Sequence, residues 1–320
     1  MLKFYSKILS VILVSSAAAL AQTARPDLDS ILKKADAETQ RYREEFKNLL
    51  SEETKIFEIF SKDGELKKRT TVESNFIIYR SAKDPNLSTE YRNVFKVDGK
   101  PVGDSEKRTT ELFEKIARAD SVHQELARIQ RESSRYDKTL VIDDLTLLQT
   151  PILAEYSRPY FNFRLAGRET AVGVEVLVVE YKQTKPSPYI LIDENTADMN
   201  KLTLGFHLDL PDWLNKSNVF LRGRLWIDAK TFQIWHEQRE LAARTENGSD
   251  EIVLLRSEFD YHPSDFGILV PKKIVFTYFA IRTKGPLVRT VLDTKATFEY
   301  SKFSKSDVEV ESNKINSPKN

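Results

Sequence analysis

The chain contains no cysteine, which removes disulfides, thiolate metal sites and a cysteine nucleophile at once, and with them the lipid-bearing cysteine of a bacterial lipoprotein. Only one run is long and apolar, Ile8 to Leu20, and every later apolar stretch is broken by charge within a few residues. No segment after that run is therefore fit to cross a bilayer as a helix. Neither sign of charge dominates: 49 Lys and Arg stand against 48 Asp and Glu, so bulk charge attracts no nucleic acid. Glycine is scarce, 10 residues in 320 and mostly at turn-like positions. There is neither a glycine-rich phosphate loop nor a Gly-x-Ser-x-Gly elbow to carry a serine nucleophile.

What is present begins with an address. Lys3 and Lys7 precede the apolar run, and Ala19-Leu20-Ala21 closes it with small residues where a signal peptidase needs them. The expectation is a signal peptide over 1–21, cleavage after Ala21, and a periplasmic or secreted protein with no stable transmembrane segment left. An exported chain of this size without disulfides must draw its stability from a core, which points to a bacterial envelope protein.

The clearest structural signal is Val219-Phe220-Leu221-Arg222-Gly223-Arg224-Leu225-Trp226-Ile227-Asp228, followed after Ala229-Lys230 by Thr231 to His236. Period-two alternation places Leu221, Gly223, Leu225 and Ile227 on one face and Arg222 and Arg224 on the other, as in a hairpin with one buried side. Similar arms recur at Thr54 to Phe60, Leu66 to Tyr79, Tyr91 to Val97, Glu251 to Tyr261, Ile268 to Ile281 and Val288 to Phe303. Phe161 to Ala166 and Val172 to Tyr181 read as a further hairpin turning at Gly167-Arg168-Glu169. Asp27 is placed to cap a helix with apolar positions Leu28, Leu32, Ala35, Tyr42 and Phe46. Asp104 to Tyr136, free of glycine and proline, predicts a second long helix. The stretch from 185 to 217 is irregular and reads as an insertion, and 304–320 as a flexible polar tail.

Early helices and contiguous antiparallel strands exclude a parallel α/β fold. The expected class is α+β: a mostly antiparallel curved sheet or incomplete β-barrel of about nine or ten strands, because wide flat sheets are uncommon. Two long helices would pack on its concave side, within one domain over 22–303.

Gly223-Arg224-Leu225-Trp226-Ile227-Asp228 with Thr231 and Ile234, and Gly267-Ile268-Leu269-Val270-Pro271-Lys272-Lys273-Ile274, together with the export signal and the helix leading into a meander, resemble the LolA-like periplasmic lipoprotein carriers and their envelope-stress sensor relatives. The chain is longer than those carriers and adds the 104–136 and 193–217 segments. The resemblance implies an incomplete barrel whose helices form a lid over an apolar cavity for acyl chains. On that implication Leu225, Ile227, Phe276, Tyr278 and Phe298 are the candidate lining residues. The ligand would be an apolar or acylated molecule, carried or sensed in the cell envelope, with an envelope protein as a possible partner. The other reading of the same residues is a filled core serving as an interaction module.

Chemistry is weakly signalled. His123, His207, His236 and His262 have no helical zinc spacing, and Asp193, Glu194 and Asp198 lack the glycine and terminal glutamate of a calcium loop. The expectation is no metal, no cofactor, no catalytic residue and no enzyme. A hydrolase built on His207 or His236 with nearby carboxylates is the third class.

Overall fold

The computed structural model describes residues 27–81, 83–84, 88–136, 151–171, 173–192, 203–206, 208, 210–245, 251–284 and 287–305. The segment expected to be a signal peptide, residues 306–320 of the expected tail, and Asp193, Glu194, Asp198, His207 and Asp209 lie outside the described residues, whereas Ser304 and Lys305 end the last strand and pair with Leu50 and Leu49. In chain order the elements are α1 (Leu28–Phe46), β1 (Leu49–Phe60), β2 (Leu66–Arg80), β3 (Ser88–Val97), β4 (Lys100–Pro101), α2 (Ser105–Ala117) and α3 (Val122–Ser133). They continue with β5 (Phe161–Ala171), β6 (Val174–Gln183), β7 (Ile190–Ile192), β8 (Leu204–Phe206), β9 (Val219–Asp228), β10 (Ile234–Arg244), β11 (Glu251–Pro263), β12 (Leu269–Lys284) and β13 (Leu287–Lys305).

Among the described residues, eleven strands form one antiparallel sheet in the order β4-β3-β2-β1-β13-β12-β11-β10-β9-β6-β5, and β7 and β8 form a small parallel pair. The expected fold class stands, with a wider sheet than expected. Most of the strand pairs carry a register shift, for instance between Asp260 and Tyr261 and between Tyr278 and Phe279. Such bulges add local twist and bend the strands that carry them, so the sheet curls without closing. The N-terminal and C-terminal parts of the chain meet inside it, where β1 pairs with β13 from Leu49 opposite Lys305 to Ile59 opposite Thr294.

Local chemistry accounts for the turns. Asp98 and Gly99 between β3 and β4 both have positive φ, 48° and 76°, the backbone of a tight hairpin whose twist matches its strands. The β5–β6 turn differs from expectation. β5 runs on to Ala171 and β6 starts at Val174, with Gly173 at φ 78° just before it, and Gly167 instead sits at a bulge inside β5, opposite Val178. A glycine in a strand marks a bulge as readily as a turn, and the β-prone arms continue past it.

Helix α1 buries Ile31, Leu32, Ala35, Thr39, Tyr42 and Phe46, one face at helical spacing. Tyr42 meets Tyr261 edge-on at 5.9 Å and Phe46 meets Phe303 at 6.1 Å. Lys34 lies over the Phe232 ring at 4.6 Å, and the Arg41 guanidinium donates to the Gly267 carbonyl. The helix therefore crosses the inner side of the sheet along the β9–β10 and β11–β12 turns.

The second long helix is two helices. The break is at Arg118 to Ser121, where Ser121 adopts an extended conformation and its hydroxyl accepts from the Gln124 amide at 3.3 Å. Gln124 returns the contact by accepting from the Asp120 amide at 3.2 Å. This is a reciprocal start signal inside an otherwise helical run. Ser121→Ala should cost about 1 kcal/mol, read as a lower urea midpoint with an unchanged slope, and an unchanged midpoint would show that the cap contributes nothing.

The α2–α3 pair is also on the other side of the sheet. Leu112, Ile116 and Ile129 pack with Tyr91, Ile77 and Tyr79 in a core of their own. Tyr91 pairs with Ile77, and Ile77 with Leu50, whereas the inward Phe76 pairs with Arg92 and Ser51. The charged side of this pair is anchored by Glu125, which is fully buried and accepts from the Tyr79 hydroxyl at 2.7 Å and the Ser81 hydroxyl at 2.9 Å.

Candidate functional site

The registers define a row across the concave face. Leu225 on β9 pairs with Glu237, Glu237 with Phe259, Phe259 with Ile274, Ile274 with Phe298, and Phe298 with Lys55 on β1. Ile227, Phe276 and Tyr278 follow two or four residues along their strands and share that face. All five candidate lining residues thus project to one side of the sheet. Leu225, Ile227 and Phe298 are at most 1 % exposed, Phe276 is 8 % exposed, and Tyr278 is half-buried.

These side chains belong to one continuous core that also includes α1, the turn residues Ile152 and Leu153, and Ile190, Leu214 and Leu221. The aromatic rings interleave edge to face: Phe259 with Phe276 at 5.8 Å, Phe276 with Phe298 at 5.9 Å, and Phe57 with Phe298 at 6.4 Å. The stretch read as an outlying insertion is part of this cover. Leu214 is 4 % exposed, and Ile192, Leu204, Phe206, Leu208, Leu210 and Trp213 pack on the same core. Alternation was absent there because an irregular cover needs apolar residues but no sheet period.

The concave face is not uniformly apolar, a feature the sequence reading missed. Glu53, Glu90 and Glu237 are buried on it together with Lys55, Arg92 and Arg239, three charges of each sign. At the β1–β3 end, the Arg92 Nε and Nη2 donate to the two Glu53 carboxylate oxygens at 2.7 and 2.9 Å, and Nη2 also lies 2.7 Å from Glu90. Burial raises the Glu53 pKa, but attraction to Arg92 and then Lys55 outweighs it and holds the carboxyl below its usual range. Burial likewise pulls Arg92 down, and Glu53 and Glu90 more than reverse that. Lys55 points its ammonium at the Phe57 and Phe298 rings, 5.3 and 5.7 Å from their centroids.

The second charged group sits one row along, where Tyr181, Gly223, Arg239, Ser257, Phe276, Ala296 and Phe57 are successive cross-strand neighbours. The Tyr181 hydroxyl and the Arg239 Nε both donate to Glu237 Oε1, at 3.0 and 2.9 Å. Gly223 makes this possible. A Cβ there would overlap the Tyr181 phenol and the Gln238 carbonyl oxygen. Tyr181 is pushed well above its ordinary pKa by burial and then by Glu237, which keeps it a donor. Both networks lay hidden in the sequence because Glu53 and Lys55 alternate with Glu52 and Thr54, and Glu237 and Arg239 with His236, Gln238 and Glu240, so neither face stands out as the buried one. The one usable signal was phase: Arg239 is in step with Leu241 and Ala243.

The outer face carries surface ion pairs. Arg224 donates to Glu180 at 2.6 Å, Arg222 to Glu240 at 2.9 Å, and Arg256 to Glu240 at 2.8 Å. Glu180, Arg222, Arg224 and Glu240 border a shallow cleft of about 410 Å³ over β5, β6, β9 and β10. A second cleft, about 290 Å³, lies where β6, β9 and β10 end, lined by residues that include Gln183, Lys185, Lys216 and Arg244. Of the histidines, His236 is on the outer face with Nδ1 2.7 Å from Asp260 and its ring against Trp226. The Asp260 carboxyl is held below its usual range first by that hydrogen bond. Burial lowers the His262 pKa beside the Phe303 ring. Among the described residues no three histidine, aspartate or glutamate side chains converge as a metal would need. Nor is any described helix long and apolar enough to cross a membrane.

Comparison with known proteins finds likeness in structure alone. No known family matches the sequence, and no curated protein matches it. The chain is similar to a DUF1329 family protein from Desulfovibrio piger, with 11 % identity over 87 % of this chain and 94 % of that one and a TM-score of 0.29. It is similar to a domain named for outer-membrane lipoprotein sorting from Vibrio parahaemolyticus, with 9 % identity over 87 % and 96 % and a TM-score of 0.31. It is also similar to a chain in the Pseudomonas aeruginosa MucA/MucB complex, with 8 % identity over 86 % and 100 % and a TM-score of 0.21.

Proposed function

We propose that this protein is an exported, non-enzymatic binding protein of the cell envelope that holds an apolar or acylated molecule against the concave face of its open sheet, as carrier or sensor. The observation that carries the reading is the placement of all five candidate residues on one inward face, beneath a cover made of separate pieces. Helix α1 rests on that face through one stripe of side chains and through contacts with the turns at its edge. Burying the five apolar side chains of that stripe is worth on the order of 10 kcal/mol, at about 2 kcal/mol each. Hiding a 14-carbon chain is worth about the same, at about 0.8 kcal/mol per methylene. Exchange of the helix face for an acyl chain is then nearly balanced, which suits reversible loading.

The same packing favours a second reading. Rings that interlock as Phe259, Phe276, Phe298 and Phe57 do are what a permanently filled core requires, and the protein would then act through its outer face. Native mass spectrometry of protein purified from its own envelope, with displacement of a fluorescent fatty-acid probe, separates the two. The binding reading expects a co-purified acyl species and probe binding accompanied by faster amide exchange in α1. Protein that is consistently ligand-free and leaves the probe unbound belongs to the second reading.

A further inference from the structure

The two buried guanidinium groups of the concave face are built differently. Arg92 meets two carboxylates, Glu53 and Glu90. Arg239, 5 % exposed, meets one: its Nε donates to Glu237, its plane lies 4.9 Å from the Phe259 ring centroid, and its Nη2 is buried with no acceptor among the described residues. A buried donor without an acceptor is costly, and native folds leave few of them. Glu237 takes only the Nε edge: its Oε1 accepts from both Nε and the Tyr181 hydroxyl, and neither of its oxygens hydrogen-bonds to Nη2. The flanking positions on this face are Leu225, Leu241, Ser257 and Phe259, none of them acidic.

We infer that Arg239 is the specificity-determining residue for the polar end of the ligand, with Nη2 receiving an anionic oxygen, carboxylate or phosphate, that terminates an apolar chain. The inference rests on the concave face being the ligand site. Arg92 supplies the precedent within the same sheet, since one guanidinium between two acidic groups is the completed form of what Arg239 has half of. Tyr181 and Glu237 hold the guanidinium in place, so its free edge is presented without reorganisation. The chain of the ligand would lie along Leu225, Phe259 and Phe276 while its head takes the empty donor. A plain hydrocarbon would instead leave that donor buried and unmatched.

The test is equilibrium binding of four 14-carbon probes to the full chain without its signal segment: tetradecanoate, tetradecyl phosphate, tetradecanol and tetradecylammonium. The expected result is that one or both anions bind about 10- to 100-fold tighter than the alcohol, the span of one charge-assisted hydrogen bond out of water, and that the ammonium binds weakest. Which of the two anions is preferred tells a carboxylate ligand from a phosphate one. Arg239→Met is expected to erase the preference, bringing both anions to within about twofold of the alcohol measured on the same variant, and Arg239→Lys to keep part of it. The wild-type ranking stands even if Arg239→Met fails to fold. Equal affinity for anion and alcohol would overturn the inference and leave the binding function intact, the spare donor then being matched by water or by another part of the chain. Failure of all four probes would overturn the inference together with the proposed function.

Discussion

Replacing Arg92 by methionine is expected to cost about 3–5 kcal/mol of stability at pH 7, because it strands buried carboxylates and does not merely remove an attraction. The Glu53 side chain is fully buried, and Arg92 pairs with its two oxygens bidentately, at 2.7 and 2.9 Å. Glu90, 7 % exposed, loses its 2.7 Å partner in the same step. The effect has a pH signature. Glu53 has a folded pKa below its unfolded value near 4.5, so its contribution is fully present above pH 4.5 and is lost as pH falls through the lower folded value. In Arg92→Met the stranded carboxyl instead takes up a proton more readily, so the gap between variant and wild type narrows as pH falls towards 4. Urea unfolding at pH 7 and at pH 4 measures both. A variant within about 1 kcal/mol of wild type at neutral pH would mean that water, and not Arg92, satisfies Glu53.

Gly223→Val should be nearly as damaging, about 3 kcal/mol or more. The reason is the close approach of two neighbours and not backbone conformation, since any Cβ at this point of β9 overlaps the Gln238 carbonyl oxygen and the Tyr181 phenol. Displacing Tyr181 then removes a donor from Glu237, which is 1 % exposed. Tyr181→Leu in the Gly223→Val background should recover part of the loss, because the ring is gone but the carbonyl remains. The thermal unfolding midpoints of the two single variants and the double variant test this. Additive losses would refute the steric account, since residues in contact should couple.

The sequence carried most of the sheet and little of the site, for a shared reason. Period-two alternation reports how many faces of a strand are buried, and it located β9, β11, β12 and β13 to within a few residues of their ends. It does not report which strand neighbours which. The pairing of β6 with β9 decides that Glu237 faces Tyr181, that of β1 with β13 that Glu53 faces Tyr300, and those of β1 with β2 and β2 with β3 that Arg92 reaches Glu53. Helical spacing found the buried stripe of α1, yet the same period in Asp104 to Tyr136 concealed the turn at Ser121, whose capping hydroxyl is one serine among many. It also could not say that α2 and α3 lie on the opposite side from α1, because an apolar stripe names no partner. The five candidate residues came together on one face because hairpin phase and sheet curvature are both local properties. The buried charges stayed invisible because their partners come from other strands.

The meeting of β1 with β13 places a seam through the middle of the sheet that joins positions about 240 residues apart in sequence. Its loop-closure cost is met only when the final strand is present. Until Phe298 and Tyr300 arrive, the inward side chains of the first meander, Glu53 and Lys55 among them, have no wall to lie against. The first hairpins therefore cannot mature ahead of the rest, and a chain halted or clipped before Leu287 keeps an unfinished, adhesive interior. In a chain made from its N-terminus onward, β13 is the last strand of the sheet to appear, and it is the one that bolts the two halves together.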